Sequence, residues 1–304
     1  MVSSPASTAD TYTAIPLAGL VAREPAPFPL YLRTAEDVWV LYRPAEGPLD
    51  ESHLGRLQAE GIAQLFIRDV DRRAYFGRVE RSLDGILRER GVALEQRAEV
   101  LQGVALSVAT ELLAAPPDRD TVQRANKVML AACGLMNRDK DALRAIRRVL
   151  GASDGLAEHS LTVGFLCMAL AKVVMSADST VMVQAGLAGL LHDVGRVGHE
   201  NLEHDPEHAE RGAELLRRLA LPKAVVDAAL SHHERFDGSG YPHGLRGSHI
   251  PEMARLVGLV NTFDKIYSTQ QPRVGVFDAL RILAQAYRGC FEERMTVAFL
   301  QLFR

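Results

Sequence analysis

From Pro29 to Arg43 apolar residues alternate with polar ones, Leu30 and Leu32 and then Val38, Val40 and Tyr42, on either side of Thr34-Ala35-Glu36-Asp37. A period of two split by a polar tetrad predicts a β-hairpin. Asp50 is placed to cap a short helix through Leu54 and Leu57, Gly61 to end it, and Leu65-Phe66-Ile67 has the composition of a further strand. Tyr75, Val79, Leu83 and Ile86 then share one helical face, with Gly91 as its stop. Residues 15–92 therefore read as a small α/β module. Residues 1–14, rich in Ser, Thr, Ala and Pro without periodicity, read as a disordered or frayed terminus. Beyond Gly91 strand signals cease, and helical patterns follow one another, broken by Pro116-Pro117, Gly151, Pro206, Pro222, Gly238 and Gly240. The expected fold class is α+β overall: the small module, then an all-α domain over residues 93–304, with no solenoid period.

A length of 304 residues accommodates the two domains that this pattern implies. Hydrophobic residues at 47% and charged residues at 24% are ordinary for a folded globular chain, and no apolar run approaches the ~18 residues of a membrane helix. Residues 1–26 have no basic start followed by an apolar stretch and a cleavage site. Together these features predict a cytoplasmic protein without membrane contact. The 35 basic against 38 acidic residues, a net charge of -3, exclude bulk attraction to nucleic acid. Cys133, Cys167 and Cys290 are odd in number and far apart, as core thiols are and disulfide frameworks are not. Histidine changes the picture, because nine of the ten copies fall between His159 and His249.

Four apolar helical patterns each deliver one or two of them. His159 is in line with Val163, Leu166 and Leu170; Val183, Leu187, Leu190 and Leu191 run into His192-Asp193; His208 precedes Gly212, Leu215 and Leu219; Val225, Ala228 and Ala229 lead to His232-His233. One imidazole on an apolar face is ordinarily a satisfied core residue. Five separate ones need five separate partners, since each unpaired buried polar group costs about 1 to 3 kcal/mol. A shared metal centre satisfies them together, and mixed imidazole and carboxylate donors suit iron, manganese or zinc. His53, His199, His204, His243 and His249 lie in polar contexts and are expected at the surface or in loops, with His199 and His204 nearest the centre. The glycines of the segment from His233 to Pro242 allow a tight loop with exposed N–H groups at the mouth of that centre.

The ordered set of His159-Ser160, His192-Asp193-Val194-Gly195-Arg196, His208 four residues before Gly212, and His232 to Pro242 with Gly240-Tyr241-Pro242 resembles the HD-GYP family. Ile250-Pro251, Ala254-Arg255 and Phe263-Asp264 extend the resemblance toward the C-terminus. It implies a helical domain that binds two or three metals, usually iron or manganese, and hydrolyses the bacterial second messenger cyclic di-GMP. Carried over, His159, His192, Asp193, His208, His232 and His233 match metal ligands, with Asp193 bridging. Arg196 stands where a side chain contacts a phosphate and joins Asp193 as a catalytic residue. Arg235, Asp237, Gly240, Tyr241 and Pro242 match a substrate-binding or partner-binding loop.

Several positions depart from the family pattern. Asn261 occupies the place of an aspartate ligand, so a neutral donor replaces a charged one. Arg196 replaces a lysine and keeps its charge on a longer planar fork. Gly155 stands one turn before His159, where three-metal members carry a glutamate, so two ions are expected; Asp154 and Glu158 are off that position. The stretch between Asp193 and His208 is also shorter than in the family. The resulting expectation is a metal-dependent cyclic di-GMP phosphodiesterase with residues 15–92 as a sensory or interaction domain. The alternative is a catalytically weak or inactive receptor for the nucleotide, or for a signalling protein bound through the Gly240-Tyr241-Pro242 loop or the N-terminal domain. The helical stretch from Leu94 to Ala152 offers a surface for a homodimer.

Overall fold

The structure, a computed structural model, describes residues 11–20, 26–36, 38–47, 49–149, 155–175, 178–199, 205–269 and 274–303. The chain divides into two compact units, Met1–Ser107 and Val108–Arg304. In the first, β1 (Tyr12–Pro16), β2 (Leu30–Ala35), β3 (Val38–Arg43) and β4 (Gln64–Arg68) form a four-stranded sheet of order β1-β4-β2-β3. The hairpin expected from the alternation is β2 and β3, which pair Leu32 with Val40. Every pairing is antiparallel, so this module lacks the parallel crossover of a true α/β unit.

β1 is a correction to the frayed terminus, at least for residues 12–14. Tyr12 pairs with Arg68 and Ile15 with Leu65, and Ile15 is fully buried. A strand whose partner lies so far along the chain leaves no local periodicity to read. Residues 1–10 of that expectation lie outside the described residues. Helix α1 (Glu51–Ala59) starts where Asp50 accepts a hydrogen bond from the His53 amide at 2.9 Å. Helix α2 (Arg72–Arg88) buries Tyr75, Val79, Leu83 and Leu87, following the four-residue ridge rather than ending it at Ile86. It stops before Gly91, at an extended Glu89.

The division between the units falls inside α3 (Leu94–Ala114), not ahead of it as the break at Gly91 suggested. The second unit continues through α4 (Arg119–Arg138), α5 (Ala142–Val149), α6 (Leu156–Val174), α7 (Ser179–Leu191), α8 (His208–Arg218), α9 (Lys223–Ser231), α10 (Glu252–Thr269), α11 (Val276–Ala286) and α12 (Glu293–Gln301). No strand occurs in it among the described residues. Its centre is α6, where every side chain from Ser160 to Ala171 is buried and which packs against α7, α10 and α12.

By length and composition α6 is apolar enough to cross a membrane, contrary to the expectation that no such segment existed. Within the fold 72% of that window is buried, and a helix that is apolar on all sides is what the middle of a bundle requires. α6 and α7 cross where a Cβ on Gly189 would stand 2.7 Å from the Gly164 Cα. That close crossing sets the separation of His159, near the start of α6, from His192, at the end of α7.

Candidate metal centre

Five histidines and one aspartate arrive at a common point from the ends of four helices. His159 lies in the first turn of α6, His192 closes α7 and is followed by Asp193, His208 opens α8, and His232 and His233 follow α9. Neighbouring imidazole centroids are 4.0–5.4 Å apart. The donor atoms form two groups, Asp193 with His208, His232 and His233, and Asp193 with His159 and His192, each within 4.8 Å of one another. Asp193 is common to both. Its Oδ1 is 3.1 Å from His208 Nε2 and 3.4 Å from His232 Nε2, while its Oδ2 is 3.5 Å from His192 Nε2. The two carboxylate oxygens thus face different groups.

The orientation of each ring has a local cause. His192 Nδ1 lies 2.7 Å from the Gly189 carbonyl and His232 Nδ1 lies 2.9 Å from the Ala229 carbonyl, each three residues back in its own helix. His208 Nδ1 bonds the Asp205 carbonyl in the same way. A proton on Nδ1 donated to a carbonyl leaves the Nε2 lone pair for the centre, the arrangement that metal-binding imidazoles use. His159 is held instead by a carboxylate, Asp264 Oδ2, at 2.5 Å from its Nδ1.

Burial and charge favour the same protonation states. Burial pushes His192, His232 and His233 below the ordinary imidazole range, so they are neutral donors. Burial pushes the Asp193 carboxyl up, but His192, His208 and His232 together pull it well below the carboxylate range, so it is ionised. The fit of this set to a divalent cation rests on what is left unpaired. Among the described residues His159 Nε2, His192 Nε2, Asp193 Oδ1 and Asn261 Oδ1 are buried atoms without a hydrogen-bond partner. Such atoms are rare in folded proteins, and the three on His159, His192 and Asp193, which share one ligand group, are what a cation would satisfy. Asn261, 2% exposed on α10, stands one turn before Asp264, whose carboxylate holds His159.

Arg196 lies in the 3-10 turn Val194–Arg196 and is buried, with its Nε 3.0 Å from Asp193 Oδ2 and an Nη 3.4 Å from His208 Nε2. Its guanidinium thus faces Asp193 and His208. The turn is brought there by Gly195, where a Cβ would stand 2.0 Å from the His208 carbonyl oxygen and 2.6 Å from the Gly212 amide nitrogen. Backbone meets backbone, and neither side can yield without moving α8. Gly195→Ala is therefore expected to destabilise the chain by about 3 kcal/mol and to lower metal content with it. Denaturant midpoints and metal analysis check this, and an unchanged midpoint would show that α8 is free to shift.

The loop after His233 folds back over the cluster. A Cβ on Gly240 would lie 2.4 Å from both the His233 carbonyl oxygen and the Arg235 amide nitrogen, so only glycine fits there. Tyr241 donates its amide to the His233 carbonyl and stacks its ring on the His233 imidazole, with centroids 4.5 Å apart. The peptide between Tyr241 and Pro242 is cis. Glu234, which sequence reasoning passed over, holds this loop: its buried carboxylate accepts the amides of His243 at 2.7 Å and Leu245 at 2.9 Å.

The Arg235 guanidinium lies 5.0 Å from the Phe291 ring and donates to the carbonyls of His232 and Glu234 and to the Thr262 hydroxyl. Asp237 accepts the Ser239 amide at 3.0 Å and the Ser239 hydroxyl at 2.7 Å. Of the outlying histidines, His199, His243 and His249 are exposed, His53 pairs with Asp50, and His204 lies outside the described residues. Asp154 also lies outside them, and Glu158 is exposed. The stripe expected on α8 is rotated: Ala209, Gly212, Ala213 and Leu216 are buried with His208, while Leu215 and Leu219 are only half-buried.

Comparisons with known proteins agree with this geometry. Residues 166–289 match the HD domain family. The chain is similar to a cyclic di-GMP phosphodiesterase of Pseudomonas aeruginosa, at 33% identity over 180 residues, 54% of this chain and 43% of that protein. It is also similar to a cyclic di-GMP phosphodiesterase response regulator of Xanthomonas campestris, at 29% identity over 228 residues, 68% of this chain and 55% of that one. The chain thus spans about half the length of these relatives. Its fold is similar to that of an HDG"Y"P protein from Bdellovibrio bacteriovorus, with a TM-score of 0.69 over 96% of this chain and 99% of that one at 20% identity.

Proposed function

We propose that the chain is an HD-GYP protein, a metal-dependent phosphodiesterase that hydrolyses cyclic di-GMP, a reading supported by its match to the HD domain family and its likeness to cyclic di-GMP phosphodiesterases. The observation that carries this reading is the pair of ligand groups sharing Asp193, together with the unpaired buried donor atoms around it. Two ions, iron or manganese, suit a set of neutral imidazoles with one ionised carboxylate. When bound, such ions acidify water to a nucleophile at neutral pH and neutralise charge that builds on the phosphoryl group during in-line attack.

The chain's own side chains do the rest. Asp193 joins the two groups and fixes their spacing. Arg196 carries a positive charge beside Asp193, placed to bind a substrate phosphate bidentately. Tyr241 holds His233 in place with one ring face, and at 37% exposure its other face is open to a guanine base. Residues 15–92 act as a sensory or interaction domain ahead of the catalytic part, and the Gly240-Tyr241-Pro242 loop is the surface through which a signalling partner would sense the site.

Arg196→Ala should raise the KM for cyclic di-GMP about tenfold, the lower end for a hydrogen bond to a charged group, while metal content is retained. An unchanged KM would show that its charge serves Asp193 alone. The function itself is tested by incubating iron-loaded or manganese-loaded protein with cyclic di-GMP and following products by chromatography, with chelator-treated protein as control. Metal-dependent product supports the proposal. Binding without product would favour the receptor, a reading to which the neutral Asn261 lends itself, and neither binding nor product would overturn both.

A further inference from the structure

Fourteen residues separate Asp193, just past the end of α7, from His208, which opens α8. That segment carries Arg196 near its start and leads into His208, so its conformation sets how both stand against Asp193. One arginine ties its two ends together. Arg211 lies one turn after His208 on α8 and is half-buried. Its Nε and Nη2 donate to the Gly195 carbonyl at 3.3 and 3.1 Å, reaching the turn that bears Arg196. Its Nη1 donates to Asp205 Oδ1 at 3.2 Å, and Nη2 donates also to Asp205 Oδ2. Glu207 adds an exposed carboxylate 3.6 Å from Nη1.

Asp205 uses both of its acceptor groups. Its main-chain carbonyl accepts from Nδ1 of His208, which leaves the Nε2 lone pair for the centre, while its carboxylate is held by the Arg211 fork. A carboxylate pinned at both oxygens fixes the peptide that carries it, so the ring of His208 takes its orientation from Arg211. The same guanidinium fixes the main chain at Gly195, and the next residue is Arg196, with an Nη 3.4 Å from His208 Nε2. Gly195 comes too near the His208 carbonyl to admit a Cβ. That contact sets how close the turn stands to α8, and the Arg211 hydrogen bonds add the direction in which it faces. Arginine suits the task because its planar fork makes several donations at fixed angles, whereas an ammonium is a single point without a fork.

We propose that Arg211 is a positioning residue of this centre, clamping the turn of Arg196 to the residue that orients His208. One side chain then sets both the metal-facing nitrogen of His208 and the phosphate-facing guanidinium of Arg196. It acts through Asp205 and Gly195. The use made of His208 and Arg196 rests on the phosphodiesterase reading; the clamp itself is a matter of the chain's own hydrogen bonds.

The test uses the full chain as wild type, Arg211→Met, Arg211→Lys, Asp205→Ala and the double variant of Arg211→Met with Asp205→Ala. Manganese binding is read by calorimetry on metal-free protein, and KM for cyclic di-GMP on loaded protein. Arg211→Met should weaken one manganese site about tenfold, the lower end for a residue that orients a ligand, leave the other site as it is, and raise KM about tenfold. Asp205→Ala should weaken the same site to the same extent, and the double variant should be no worse than either, because the two side chains act as one unit. Arg211→Lys should recover manganese affinity through its ion pair with Asp205 while KM stays raised, since the Gly195 carbonyl loses its fork. The inference is overturned if Arg211→Met lowers only the unfolding midpoint, if the two losses add in the double variant, or if lysine restores both readouts. Wild type that binds manganese but neither binds nor turns over cyclic di-GMP removes the phosphodiesterase reading, and the calorimetric results alone then decide the role of Arg211.

Discussion

Asp193→Ala is expected to empty both ligand groups at once and to reduce turnover of cyclic di-GMP about a thousandfold or more. The reason is geometric: each oxygen of this one carboxylate faces a different set of imidazoles, so its loss removes the only shared and the only charged donor. Loss of a residue that merely orients a ligand lowers metal affinity or activity ~10- to 100-fold, and loss of the joining ligand must exceed that. His159→Ala provides the contrast. It touches one group, so the group of Asp193, His208, His232 and His233 should keep its ion and about half the metal should remain. Removing Asp193 also breaks its buried pair with Arg196, and breaking such a pair costs about 3 to 5 kcal/mol. Asp193→Asn, which preserves volume and a hydrogen-bond acceptor, therefore accompanies it. Metal analysis on folded Asp193→Asn checks the result, and retention of both ions there would show that the imidazoles alone hold them.

The second large effect runs in the opposite direction. Asn261→Asp should tighten binding at the group of His159, His192 and Asp193 by about 10- to 100-fold and accelerate turnover. Asn261 Oδ1 is buried and unpaired, so the position is shaped for a donor, and an aspartate adds charge without volume. The same change adds a buried carboxylate one turn from Asp264, so the metal-free variant should be less stable than metal-free wild type, and the ion should restore it. Calorimetric titration of metal-free protein with manganese measures the affinity directly. An Asn261→Asp variant that gains neither affinity nor rate would remove Asn261 from the ligand set.

The clustering of histidines with Asp193 was legible in the sequence because each of these histidines stands at the end of an apolar helical run, where periodicity and chemistry reinforce one another. The residues that orient it were not. Asp264 reaches His159 across 105 positions, and nothing around Asp264 distinguishes a carboxylate that holds a ring from one that holds an ion. Glu234 was hidden by its neighbours, since a carboxylate that accepts two loop amides needs the loop to be folded before its role exists. The same non-locality concealed β1, which is a strand only because β4 pairs with it.

The central claim, that one carboxylate joins two metal sites between α6, α7, α8, α9 and α10, is tested most directly by anomalous diffraction. Crystals of manganese-loaded or iron-loaded protein should show two peaks at the absorption edge of that metal, one on each side of the Asp193 carboxylate, with His208, His232 and His233 around one and His159, His192 and Asn261 around the other. A single peak away from Asp193, or none within reach of the six side chains in fully loaded protein, would contradict it.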